Sequence, residues 1–257
     1  MIPPVSSMKV FGLIGYPLLH SWSQDFFTCK FRQEHMPDYS YQLFPLPELS
    51  GFNEILEKNP ALMGLNVTIP YKIRIISFLD HLDSQALQIG AVNTIRIGVI
   101  QGKRYLEGFN TDADAFRLSA NFSGHSHALV LGTGGAAKAV CFTLKQLGIT
   151  YRLVSRDPLE PDILTYQAIN PEIMQTHRLI INATPLGMFP ESGSYPPIPY
   201  EQIRPGHFLY DLIYNPLETL FLKKGAERGA RIQSGIRMLY LQAERSFAIF
   251  TGQEAGI

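Results

Sequence analysis

The sequence predicts an α/β fold in two domains, and three observations predict it. Apolar strand-like runs alternate with helical periods along the chain. The alternation breaks once, around residues 111–125, and splits the chain into two series. The second series opens on a glycine-rich turn between a strand and a helix, the mark of a Rossmann-like nucleotide-binding domain. Residues 1–110, joined by 238–257, are expected to form one α/β domain, and residues 111–237 the other, with a cleft between them.

In the first series Val10–Tyr16 reads as a buried strand and Ser23–Glu34 as a helix whose Phe26, Phe27 and Phe31 form a core face. Tyr39–Leu46 is a strand, Glu48–Lys58 a helix and Leu62–Val67 a strand, and Tyr71–Leu79 carries a helical period. Val92–Val99 and Tyr105–Phe109 read as strands joined through the turn Gln101-Gly102. The second series has strands at His127–Leu131, Tyr151–Val154, Leu179–Asn182, Phe208–Leu212 and Arg231–Gln233. Helices are expected at Ala136–Leu147, Leu217–Arg228 and Met238–Phe250, and the proline-rich stretch Pro190–Gln202 as a surface loop. Such alternation implies parallel sheets covered on both faces.

Composition excludes several classes. Hydrophobic residues make up 46% and charged residues 17%, which rules out disorder of the charged, low-hydropathy kind. Lys plus Arg and Asp plus Glu are both 22, so no global field holds a polyanion, and nucleic acid is not expected as a partner. Cys29 and Cys141 form neither a disulfide framework nor a zinc-ligand spacing, and the histidines are scattered, so no metal site is expected. No signal peptide and no membrane span are read from the sequence, which points to the cytoplasm.

Gly132-Thr133-Gly134-Gly135-Ala136-Ala137 matches G-x-G-x-x-A. Gly132 suits a tight turn and Gly134 close approach of a pyrophosphate. A small third residue lets helix and strand pack, and the helix N-terminus at Gly135 and Ala136 offers N–H groups to phosphate. The next strand ends Val154-Ser155-Arg156-Asp157. A hydroxyl followed by a guanidinium suits a ribose 2′-phosphate, so NADP is the expected cofactor, bound by Ser155 and Arg156.

Polar clusters also sit at strand ends of the first series. They are Gly15–Ser23, Asn66–Lys72, Ala91–Thr94 and Asn110–Asp112. With Gly132–Ala136, Ile181–Met188, Tyr210–Thr219 and Gly235–Gln242, in this order, they resemble the shikimate dehydrogenase family over nearly the whole chain. The resemblance implies reversible, NADPH-dependent reduction of 3-dehydroshikimate to shikimate, in aromatic amino acid biosynthesis. It implies Lys72 and Asp112 as the catalytic pair. Ser21 and Ser23 would hold the substrate carboxylate, Thr68, Asn93 and Gln242 its hydroxyls, and Tyr214 would face it. Thr184, Leu212 and Gly235 join the cofactor-binding residues.

The chemistry fits those roles. Hydride delivery to a ketone builds negative charge on oxygen; an ammonium stabilises that charge and supplies the proton, and a carboxylate partner tunes it. Taken singly, the residues have plainer readings: Ser21, Ser23 and Asp112 as helix caps, Lys72 as an exposed helix lysine, Arg156 as a surface partner of Asp157.

The chain departs from the family pattern at Gln24, where proline is usual, and at Ala115, where glycine is usual. Asp157-Pro158-Leu159-Glu160-Pro161 replaces a helix start carrying a second arginine, so weaker discrimination for NADP is expected. Two alternatives stay open: a quinate/shikimate dehydrogenase using NAD, and a catalytically silent nucleotide-binding regulator. A homodimer is the assembly to test.

Overall fold

The computed structural model describes residues 8–18, 21–157 and 160–253. His20 of the first motif, Pro158 of the crossover and the N-terminal segment read for a leader lie outside the described residues. The chain divides into two compact units, Met1–Thr111 with Gln242–Ile257, and Asp112–Leu241.

The first unit carries β1 (Lys9–Gly15), α1 (Trp22–Gln33), β2 (Tyr39–Pro45), α2 (Phe52–Lys58), β3 (Leu62–Val67), β4 (His81–Leu82), α3 (Ser84–Ile89), β5 (Thr94–Ile100) and β6 (Lys103–Phe109). Its sheet has the order β2-β1-β3-β5-β6-β4. In the central strand β1, Val10 and Ile14 enter one core with Leu62 and Leu65. Phe11 and Leu13 enter the other, with Phe27 and Phe31 of α1. Burial on both faces is why this strand is apolar along its length rather than alternating. Trp22 stacks on Phe26 and packs against the second of these cores.

The first sheet is mixed, with the antiparallel hairpin expected at Gln101-Gly102 added to a parallel run. β1 runs parallel to β2 and β3, but β5 is antiparallel to both β3 and β6. The hairpin accounts for the β5–β6 pair. Gln101 (φ 52°) and Gly102 (φ 76°) form a two-residue turn with both residues left-handed, which can only join antiparallel neighbours. Reversal of β5 brings its first residues, and the last residues of β6, to the sheet edge where β1 and β3 end.

The second unit carries α4 (Asp112–Ser119), β7 (His127–Leu131), α5 (Gly135–Gln146), β8 (Thr150–Ser155), β9 (Leu164–Thr165), α6 (Pro171–Thr176), β10 (Leu179–Asn182), β11 (Phe208–Asp211), α7 (Leu220–Ala226) and β12 (Arg231–Gln233). The unit division falls within the closing helix α8 (Ile236–Thr251). This sheet is parallel throughout, in the order β12-β11-β10-β7-β8-β9. Ala128, Val130, Leu179, Ile181, Phe208 and Tyr210 fill the core on one face, and Leu129, Leu131, Ile180 and Leu209 the core on the other. Strand order reverses between β7 and β10, so the loops after those two strands flank the switch point where such sheets bind ligands.

Several helical expectations are corrected. Glu48–Lys58 splits into a 3₁₀ turn at Leu49–Gly51 and then α2. Tyr71–Leu79 becomes a 3₁₀ segment at Arg74–Phe78, so Lys72 lies in the turn before it rather than one turn into a helix. The buried phenol of Tyr71 bonds the carbonyls of Leu46 and Pro47, which holds this entry, and branched Ile73, Ile75 and Ile76 disfavour a longer α-helix. The expected Leu217–Arg228 helix begins only at Leu220, where the Thr219 hydroxyl caps it.

Two helices and two short strands escaped the sequence reading. α3 has a legible signature: Asp83 accepts from the Ala86 N–H at 2.8 Å, and Gly90 closes the helix at φ 68°. α6 has Asn170 as its cap and Pro171 in its first turn. Both are six residues long, below the length at which apolar periodicity shows. Asp83→Ala should cost about 1 kcal/mol of stability, read as a lowered denaturation midpoint; an unchanged midpoint would remove the cap from the account.

Candidate active site

In the first unit the expected substrate residues gather along one sheet edge. Thr68 follows β3, and its neighbourhood is locked to β1. The Thr68 N–H bonds the Ile14 carbonyl, and Tyr16 N–H bonds the Ile69 carbonyl at 3.1 Å. A Cβ at Gly15 would overlap Thr68 Cγ2 and stand 2.9 Å from the Ile69 carbonyl oxygen, so only glycine lets the two loops cross this closely. The Lys72 carbonyl accepts from the Val92 N–H at 2.7 Å, which sets the lysine turn beside Asn93. Asn93 precedes β5 rather than starting it; it is 2% exposed. Its amide donates to Thr111 Oγ1, and its carbonyl oxygen accepts from the Thr111 N–H, both at 2.8 Å.

Ser21 occupies the cap position of α1, but its side chain makes no cap bond, so the plain capping reading fails. Ser23 lies in the first turn of that helix. Gln242, in α8, accepts Ser246 Oγ on its carbonyl at 2.9 Å. Ser246 in turn reaches Thr94 at 2.8 Å and Asn66 at 3.0 Å.

In the second unit the glycine turn follows β7. Gly132 has φ 108°, and a Cβ there would meet the Ala183 carbonyl oxygen and Thr184 Cγ2, each at 3.1 Å. Thus the turn needs glycine, and it lies against Thr184 across the switch point. A Cβ on Gly134 would meet nothing within 4 Å. Gly134 caps the 12-residue α5 in an extended conformation with no side-chain cap. Open space before an uncapped helix N-terminus, with Gly135 and Ala136 in its first turn, fits a pyrophosphate. Ser155 ends β8, and its hydroxyl accepts from the Asp157 N–H at 3.3 Å. Arg156 is exposed in the bend beyond it, and its charge acts on the Tyr166 phenol. Gly235 serves packing: a Cβ there would overlap the Leu212 carbonyl oxygen. Tyr214 is a partly buried residue in the loop after β11, with its pKa raised by burial. Asp112 is the first residue of α4, 4% exposed.

The family model for the shikimate dehydrogenase substrate binding domain matches residues 13–95. A protein named shikimate dehydrogenase (NADP(+)) from Methanococcus maripaludis is 35% identical over 98% of this chain and 95% of its own length. The chain belongs to the shikimate dehydrogenase family. Among solved structures, shikimate 5-dehydrogenase of Thermus thermophilus in complex with NADP(H) and shikimate superposes with a TM-score of 0.82. That likeness is at 30% identity and covers 96% of this chain and 95% of that one. Quinate dehydrogenase of Corynebacterium glutamicum, in complex with NAD, has the same TM-score at 24% identity, a likeness of fold.

Within the family motif at Tyr210–Thr219, the sequence reading passed over Asp211. This carboxylate is completely buried. It accepts from Thr219 Oγ1 at 2.6 Å, from the Ile213 N–H at 3.0 Å and from Asn182 Nδ2 at 3.0 Å. Asn182 also bonds the Thr184 hydroxyl at 2.6 Å. The loops after β10 and β11 are therefore tied through one carboxyl group. Burial pushes its pKa up to about 7, against the lowering effect of those three donors. An acid closing an apolar strand is a legible signal, because carboxylates are rarely buried unless paired.

The raised pKa has a sign. Between about pH 4 and 7 the folded form holds a proton that the unfolded form has lost, so stability falls as pH rises through that window and levels off above it. The part due to Asp211 is at most about 4 kcal/mol. Asp211→Asn should flatten that part of the slope in urea unfolding between pH 5 and pH 8; a variant with the wild-type slope would refute the assignment.

Proposed function

We propose that the protein is a shikimate dehydrogenase that reversibly reduces 3-dehydroshikimate to shikimate with NADPH, in aromatic amino acid biosynthesis. The observation that carries the reading is the row of hydroxyl and amide groups beside the Lys72 turn at one sheet edge, in a chain with that family's motifs. It is matched in the second unit by the open, uncapped start of α5. The same reading puts the protein in the cytoplasm, with a small molecule rather than nucleic acid or a membrane as its partner. Among the described residues no helix is long and apolar enough to cross a membrane. Light scattering tests for a homodimer.

NADPH, when bound, supplies a hydride to the ketone carbon. Ser21 and Ser23 hold the carboxylate through hydroxyl donors, which leaves the lysine cation for the reacting oxygen. Thr68, Asn93 and Gln242 orient the ring hydroxyls, and Tyr214 faces the ring. The Lys72 ammonium stabilises charge on the carbonyl oxygen and donates its proton there; Asp112 is the carboxylate of the pair. The α5 N-terminus with Gly132, Gly134, Gly135 and Ala136 takes the pyrophosphate. Thr184, Leu212 and Gly235 would also take part in holding the cofactor, and Ser155 and Arg156 would take its 2′-phosphate.

Lys72→Ala should lower kcat by about 10²- to 10⁴-fold while changing shikimate binding little. An unchanged kcat would reject the role, and silent wild-type protein would favour a regulator. No helix begins between Arg156 and Tyr166 among the described residues, so Arg156 has no helix-borne second arginine beside it. Arg156→Ala should raise KM for NADP about tenfold and leave KM for NAD unchanged. Faster wild-type turnover with NAD and quinate would replace the proposed pair.

A further inference from the structure

The closing helix brings one buried hydroxyl to the first unit's polar edge. Ser246, in α8, is fully buried, on a helix whose Ala243 and Phe247 enter the apolar core. Its plain role would be that of a small residue in helix packing. Its oxygen is nevertheless surrounded by polar groups. Oγ stands 2.9 Å from the Gln242 carbonyl oxygen, 2.8 Å from Thr94 Oγ1, 3.0 Å from Asn66 Nδ2 and 3.3 Å from Thr111 Oγ1. A buried hydroxyl is costly unless bonded, and this one joins α8 to the ends of β3 and β6 and to the start of β5.

These contacts fix where each proton points. A carbonyl oxygen can only accept, so the single Ser246 proton goes to Gln242. The Ser246 oxygen then accepts from its other neighbours. Asn66 presents Nδ2 to it, because Asn66 Oδ1 is taken by the Tyr41 hydroxyl at 2.8 Å. Thr94 Oγ1 accepts from Asn66 Nδ2 at 3.2 Å and has its own proton to place. Ser246 Oγ lies 2.8 Å from it, and a second acceptor, Asn93 Oδ1, lies 3.3 Å from it. The nearer oxygen takes the proton. Asn93 Oδ1 meanwhile accepts from the Thr111 N–H at 2.8 Å.

We infer that Ser246 is a positioning residue for substrate hydroxyl binding: it draws the Thr94 proton away from Asn93, so that Thr94 does not compete with a substrate hydroxyl for the Asn93 side-chain oxygen. The inference rests on the proposed role of Asn93. An amide oxygen has two lone pairs, and the Thr111 N–H uses one of them. Without the Ser246 oxygen the Thr94 hydroxyl turns to Asn93 Oδ1. It then stands against the donor that the ring would offer there, and binding must first turn it away into a site with no acceptor. Ser246 touches no substrate in this account. It acts through Thr94, and every proton stays on its own oxygen.

Ser246→Ala should raise KM for shikimate about 3- to 10-fold, with kcat and KM for NADP within about twofold of wild type. Ser246→Cys fills the same space with a weak acceptor, so its KM should stay raised, and it carries the same prediction should Ser246→Ala fold poorly. A wild-type KM in Ser246→Cys would make the role one of packing and overturn the inference. Thr94→Val removes the competing proton. In that background Ser246→Ala should raise KM by less than about twofold. Losses that simply multiply in the double variant would overturn the inference, as would equal losses in kcat and in both KM values, the mark of a merely structural serine. Asn93→Ala raising KM while Ser246→Ala does not would overturn the role of Ser246 alone. Asn93→Ala leaving KM unchanged would remove the substrate role of Asn93 and the inference with it.

Discussion

Asn66 is the residue on which the first unit's polar edge depends. Its amide is 6% exposed at the end of β3 and links Tyr41 of β2, Asn93 and Thr94 at the start of β5, and Ser246 of α8. Buried amides are costly unless every donor and acceptor is matched, and here both ends are. Asn93, proposed to touch substrate, thus rests on a satisfied polar layer, not directly on the apolar core. Such a layer resists sliding, because a shifted strand would strand several buried polar atoms at once.

The second unit solves the same problem with a carboxylate. Asp211 gathers Asn182, Thr219 and the Ile213 amide beneath the loops that follow β10 and β11. Glycine then appears where backbones nearly touch, at Gly132 against Ala183 and at Gly235 against Leu212. In both units polar anchors set the strand ends, and glycine allows the loops above them to approach.

Much of this was legible in the chain. The strands at Leu62–Val67, His127–Leu131, Leu179–Asn182 and Arg231–Gln233 stand where apolar runs and turn residues put them. The glycine turn after β7 and the polar residues after β1 and β3 were likewise marked by type and order. Short elements were not: α3, α6, β4 and β9 bury too few side chains to show a period. Nor were Tyr41 and Asp211 marked as site supports. A tyrosine in an apolar strand looks like core, and only its neighbours across the sheet give its hydroxyl a partner.

The sequence by itself determined the α/β class, the glycine turn after β7 and the family, because these reside in local spacing and residue type. Tertiary structure decided what depends on chain reversal and burial. Antiparallel pairing of β5 with β3 placed Asn93 at the edge where β1 and β3 end, and the return of β6 brought Thr111 to the same edge. Burial raised the pKa of Asp211 and joined Tyr41 to Asn93 through side chains far apart in the chain. Hydrogen-bond partners across a sheet are set by register and packing, which no local stretch of residues encodes.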